Sequence, residues 1–112
     1  MKTQYKLPLH IKNYVKQELY DYKNNKKIVQ EIQNQNASTI ITKSLLIATN
    51  RISQIENVYQ RLSKEEQELM SIIFFQRTNQ SYAETYFYIS KDAYYRAMNK
   101  IIYITAMEFE LI

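Results

Sequence analysis

SYAETYFYISKDAYYRAMNKIIYITA, residues Ser81 to Ala106, reads as two helices joined by a sharp corner at Tyr88-Ile89-Ser90. Ser90 suits an N-cap, because its hydroxyl can accept a bond from an otherwise orphaned N–H in the following turn. Asp92 then places negative charge in the first turn, where the helix dipole favours it. Beyond the cap, Tyr94, Met98, Ile101 and Thr105 recur at steps of four, three and four, with Ala97 and Ile102 beside them. That is one apolar face of a helix. Lys91, Tyr95, Arg96, Asn99 and Lys100 fall on the other side. A short helix, a tight turn and a second helix with Arg, Lys and Asn outward is the layout that sets side chains into a major groove.

Working back toward the N-terminus, Asn79 or Ser81 is the expected cap of the motif's first helix, and Arg77 leads into it. Ser63-Lys64-Glu65-Glu66 fits a capping box, followed at helical spacing by Leu69, Ile72, Ile73 and Gln76. Before it, Ile41, Leu45, Ala48, Ile52, Ile55, Tyr59 and Leu62 alternate steps of four and three, the spacing of an a/d seam. Such a seam packs either into the chain's own core or against a second copy. Asn34 to Ser38 has the composition of a linker. Upstream, Pro8 suits a first helical turn, and Ile11, Tyr14, Val15, Leu19 and Tyr22 form a stripe. Ile28, Val29 and Ile32 prolong it past an expected kink at Asn24-Asn25. Lys12, Lys16, Lys23 and Lys27 line one face of that helix, either as a solvated surface or as phosphate contacts.

Composition limits the alternatives. The chain has 112 residues, 46% of them hydrophobic, with no Gly, one Pro and no Cys. Tight β-turns draw on Gly and Pro, so a many-stranded fold is not expected. An all-α protein of about five helices is: a long N-terminal pair in residues 1–62 and a three-helix, helix-turn-helix unit in residues 63–112. Without Gly there is neither a P-loop nor a dinucleotide fingerprint. The single histidine, His10, has no acidic partner at helical spacing, and a zinc site would need three carboxylates. No catalysis, metal or cofactor is expected. Neither a leader nor an apolar run of about 18 residues is present, so the expectation is a cytoplasmic protein without a membrane span. The eleven tyrosines are expected mainly as core or half-buried surface, Tyr86, Phe87 and Tyr94 among them.

Net charge is +4, with an isoelectric point near 9.2. Residues 1–62 hold ten Lys/Arg against four acids, and residues 63–112 hold five against seven. The half with the presumed reading helix is therefore acidic, although Glu65, Glu66, Glu68, Glu108 and Glu110 lie outside the motif.

Ile89-Ser90 followed by KDAYYRAMNKII, with the basic start LPLHIKNYVKQELYDYKNNKK and the order of helices, resembles the RinA/ArpU/LtrC-like family of phage late transcriptional regulators. Their helix-turn-helix is similar to region 4 of sigma factors. A small residue, often Gly, usually stands in such motifs where this chain has Tyr88. The resemblance implies a DNA-binding transcriptional activator acting at a promoter. Lys91, Tyr95, Arg96, Asn99 and Lys100 would face the groove, with Arg96 and Asn99 reading guanine and adenine. Lys91, Lys100 and Arg77 would hold phosphates. Two other readings stand beside this one. A small helical interaction module could bind a transcription factor or RNA polymerase, as the acidic C-terminal half favours. A structural homodimer could form along the seam.

Overall fold

In the computed structural model, which describes residues 5–35, 43–76 and 80–112, Pro8 stands one residue ahead of α1 (Leu9–Gln35). Its carbonyl accepts the first helical bond, from the Lys12 N–H at 3.0 Å, and its missing N–H leaves nothing unpaired. The helix then runs unbroken for 27 residues, about 40 Å at 1.5 Å per residue. The helical hydrogen bonding is not interrupted at Asn24-Asn25, and the helix continues through Asn34 and Gln35, the start of the expected linker. Asn lowers helix propensity by only about half a kcal/mol per residue. Burying Val29 beyond the pair, worth about 1.5–3 kcal/mol, outweighs that loss.

The second helix, α2 (Lys43–Arg61), buries Ile55 and Val58, and Leu62 is buried just past its end. The expected seam is followed only in part. Ile55 and Leu62 reach the core, Leu45, Ala48, Ile52 and Tyr59 are half-buried, and Ile41 lies outside the described residues. Val58, which the seam omits, is fully buried. A straight helix turns every 3.6 residues and drifts off a 3.5-residue repeat, so the stripe that faces the core becomes 55, 58 and 62.

The centre of the molecule is α3 (Lys64–Met70) and the π-helical turn Ser71–Phe75 that continues it. The capping box is present. Ser63 Oγ accepts from the Glu66 N–H at 3.2 Å, and Glu66 Oε1 accepts from the Ser63 N–H at 3.0 Å. Beyond it Leu69, Met70, Ile72, Ile73 and Phe74 are all buried. A segment apolar over most of its circumference must be largely surrounded, and this one touches α1 and α2 on one hand and the two helices that follow on the other. Those helices are α4 (Gln80–Phe87) and α5 (Lys91–Glu108). The protein is thus all-α, with five helices and no strand among the described residues.

Residues from both 1–62 and 63–112 meet in one core, where Val15, Leu19, Ile55 and Val58 pack with Phe74, Met98 and Ile101. Aromatic pairs tie α1 to it: Tyr20 on Phe74 at 5.2 Å, Tyr22 on Phe75 at 4.6 Å, and Tyr14 edge-on to Phe109 at 6.5 Å. Arg51 of α2 lies 4.2 Å over the Phe109 ring and donates to the Tyr14 hydroxyl at 3.2 Å. Arg61 pairs with Glu108, so both ends of α2's second half hold the end of α5. Among the described residues the one buried polar side chain, Thr105, donates back to the Ile101 carbonyl at 2.8 Å.

Candidate nucleic-acid interface

The corner between α4 and α5 is built without glycine. Tyr88 takes the left-handed conformation, φ 53°, and the Ile89 N–H bonds back to the Glu84 carbonyl at 3.1 Å. That six-residue loop is a Schellman closure, with Tyr88 in the position glycine normally fills. Ile89 packs partly into the core, while the Tyr88 ring is 94% exposed. Ser90 then caps α5, its hydroxyl accepting from the Ala93 N–H at 3.1 Å, and Asp92 lies in the first turn. Asn79 lies outside the described residues, and Ser81 falls inside α4 rather than at its cap.

The inner face of α5 is the one its periodicity indicated. Tyr94, Met98, Ile101, Ile102, Thr105 and Ala106 are buried, and burial raises the Tyr94 phenol above its ordinary value. On the outer face Lys91, Tyr95 and Arg96 are exposed across the first two turns. Among the described residues neither Lys91 nor Arg96 has an ion-pair partner.

The rest of the expected groove-facing set is placed differently. Lys100 is half-buried, its Nζ 2.6 Å from Glu66 Oε2. That hydrogen bond raises the lysine's pKa and lowers the carboxylate's. Glu66 therefore caps α3 with one oxygen and holds α5 with the other. Asn99 is half-buried in a groove of about 200 Å3 lined by Tyr5, Lys6, Leu7, Lys12 and Ile102. The Tyr5 ring meets Tyr103 edge-on at 5.4 Å, so the segment before α1 lies along the second half of α5's outer face. Lys16 is half-buried, Lys23 and Lys27 are exposed, and Arg77 lies outside the described residues.

The structure thus brings Lys12 of α1 beside Asn99 of α5, a junction that joins two stretches read separately from the sequence. Tyr5 and Lys6 belong to the same place and carried no periodic signal, since a segment ahead of a helix has no fixed face. Of the aromatic residues of α4, Phe87 packs partly against the core, while Tyr82 and Tyr86 lie on the surface. Tyr82 and Tyr86 are half exposed and stack with ring centroids 6.1 Å apart at 18°.

A second recess, about 470 Å3, lies on the far side between α1, α2 and the π-helical turn, lined by Tyr22, Glu56, Tyr59, Ser71 and Phe75. Glu56 accepts from Lys26 and from the Tyr22 hydroxyl, each at 2.6 Å. Among the described residues no three His, Cys, Asp or Glu side chains gather as a metal site would require, and no helix is long and apolar enough to cross a membrane. No family model, curated protein sequence or solved structure matches the chain.

Proposed function

We propose that the protein binds double-stranded DNA through α5 and regulates transcription, without catalysis. The observation that carries this reading is the first two turns of α5. They hold Lys91, Tyr95 and Arg96 exposed on a helix capped by Ser90 and backed by a buried face. The N-terminal turns of a recognition helix are the part that meets base edges. Arg96 has the fork geometry to read guanine, Tyr95 the apolar ring for a thymine methyl, and Lys91 the charge for a phosphate. Acting as an activator of late genes, in a phage or another mobile element, follows from the family resemblance alone.

The second reading, an interaction module for a transcription factor or RNA polymerase, draws on the stacked and exposed Tyr82 and Tyr86 of α4. Aromatic residues of that kind are enriched at protein interfaces. The two readings are compatible if α5 faces DNA and α4 faces the partner. A homodimer would use the first half of α2, where Leu46 and Ile47 are each about half exposed.

Selection of bound fragments from a random duplex pool, followed by titration of the winner, tests the main reading. Arg96→Ala should lower affinity for the selected site by about 5- to 150-fold, equivalent to 1–3 kcal/mol for a lost base contact. It should leave mixed-sequence binding nearly unchanged. Failure to enrich any duplex, or equal losses on both DNAs, refutes base reading by α5.

A further inference from the structure

We propose that the groove between the N-terminal segment and α5 is a phosphate site, lined by Tyr5, Lys6, Lys12 and Asn99, that grips the DNA backbone beside the bases read by α5. This rests on the DNA reading for the source of the phosphate, but its chemistry stands on the groove itself.

The polar atoms of the groove are those an oxyanion needs. Two ammonium groups, a side-chain amide and a phenol supply hydrogen-bond donors, and no carboxylate lines it. Of the other half-buried lysines, Lys26 is neutralised by Glu56 and Lys100 by Glu66, while Lys16, one turn along α1 from Lys12, has no ion-pair partner among the described residues. Exposed Lys6 and half-buried Lys12 both line the groove with no ion-pair partner among the described residues. Two like charges brought to one recess repel, and an anion between them removes the cost. Leu7 and the buried Ile102 give the groove an apolar wall, which reduces competition from water. Its volume of about 200 Å3 is below the roughly 300–1,000 Å3 of pockets that enclose whole organic ligands, so it suits a headgroup rather than a nucleotide.

Its position fits as well. Asn99 lies eight residues beyond Lys91 on α5, about 12 Å along the axis at 1.5 Å per residue. That matches the width of the major groove, about 12 Å. A duplex that receives the first two turns of α5 therefore brings the sugar-phosphate wall to Asn99. From there Lys12, Lys16, Lys23 and Lys27 extend the positive edge along α1 for about 22 Å. Asn99 is thereby assigned to the backbone rather than to adenine.

The test uses the full chain and a fluorescein-labelled duplex of mixed sequence, so that base reading is not needed. Affinity is measured over a salt series for wild type and for Lys6→Gln/Lys12→Gln, both checked for folding by circular dichroism. Each phosphate contact contributes a slope of about 0.9 in log affinity against log salt, so the double variant should lose about 1.8. A steep wild-type slope that the double variant leaves unchanged overturns the groove while the DNA reading survives. If wild type binds no duplex, the DNA reading falls and the groove is judged by inorganic phosphate. At constant ionic strength phosphate should then shift the Asn99 side-chain amide resonances in wild type and not in the double variant, making it a free-phosphate site. Resonances that stay in place overturn it.

Discussion

Replacing Tyr88 with glycine should make the protein more stable, although it removes a large side chain. Tyr88 holds φ 53° at the corner of the motif, and a side chain bearing Cβ costs roughly 1–2 kcal/mol in that region. Its ring is 94% exposed, so no burial is lost with it. Glycine returns about 0.4–1 kcal/mol of that gain through the greater freedom of the unfolded chain. The net is about 0.5–1 kcal/mol of added stability. With an unfolding entropy of about 2.1 cal/mol/K per residue over 112 residues, that raises Tm by roughly 2–4 °C. Glu110 closes α5 in the same way at φ 60°, with the Leu111 N–H bonded to the Ala106 carbonyl at 3.0 Å and the Glu110 N–H to Met107 at 3.0 Å. Glu110→Gly should therefore give a similar rise, and the two should add, since the sites share no partner. Tyr88→Ala keeps the Cβ and should not gain. Thermal melts followed by circular dichroism decide the matter. A Tyr88→Gly protein that melts with or below wild type, or an Ala variant that gains as much, refutes the account of the corner.

Three further outcomes follow from the packing and the ion pairs. Ile55→Lys should abolish folding, because Ile55 is 1% exposed and an unpaired buried charge is very costly, whereas half-buried Ile52 should tolerate lysine with a smaller loss; circular dichroism ranks the two. Tyr94→Ala should cost about 3–5 kcal/mol and Tyr95→Ala much less, and a reversed order in denaturant melts would mean α5 is rotated from its described phase. Glu66 is lowered in the folded protein and Lys100 raised, each by the other. The pair's contribution, about 0.5–1 kcal/mol given its exposure, is present above the unfolded Glu value near 4.3 and below the unfolded Lys value near 10.4. It is lost as pH falls through the lowered carboxylate value or rises through the raised lysine value. Glu66→Gln should flatten the acid limb of a stability-versus-pH curve while leaving the share of Glu56, which is lowered by Lys26.

The features legible in the sequence are those decided within one turn of helix. The Ser63–Glu66 box and the Ser90 cap need only residues three apart, and both are present. The buried face of α5 is equally local, because a single helix sets the phase of Tyr94, Met98 and Ile101. What escaped notice is decided by neighbours. Val58 is buried because the centre of the fold lies on its side of α2, a direction that no heptad count contains. In the run LMSIIFF, residues 69–75, helical spacing picks out Leu69, Ile72 and Ile73, yet Met70 and Phe74 are buried as well. Its density of apolar side chains is the sign that the segment is enclosed on most of its circumference. Asn99 has the spacing of a groove-facing residue, yet Tyr5 and Leu7 fold back beside it from more than ninety positions upstream. Tyr86 resembles core by residue type and lies exposed because α4 is only two turns long.

The π-helical turn at Ser71–Phe75 gives this protein one spot where the length of its chain can change by a residue. The Gln76 N–H reaches back five residues to the Ser71 carbonyl at 2.8 Å, where an α-helix would reach back four. A gene lacking one codon between Met70 and Phe75 would encode a segment that closes as ordinary α-helix with its backbone bonds intact. Residues beyond the deletion would keep nearly the same phase and rise, because the wider turn had absorbed the extra residue. If the codon lost is that of Ser71, the one polar residue of the turn, Phe74 and Phe75 would stay against Tyr20 and Tyr22. A single-codon deletion should therefore be tolerated better here than in the middle of α1 or α2, where every residue beyond it would turn by about 100° and draw back about 1.5 Å.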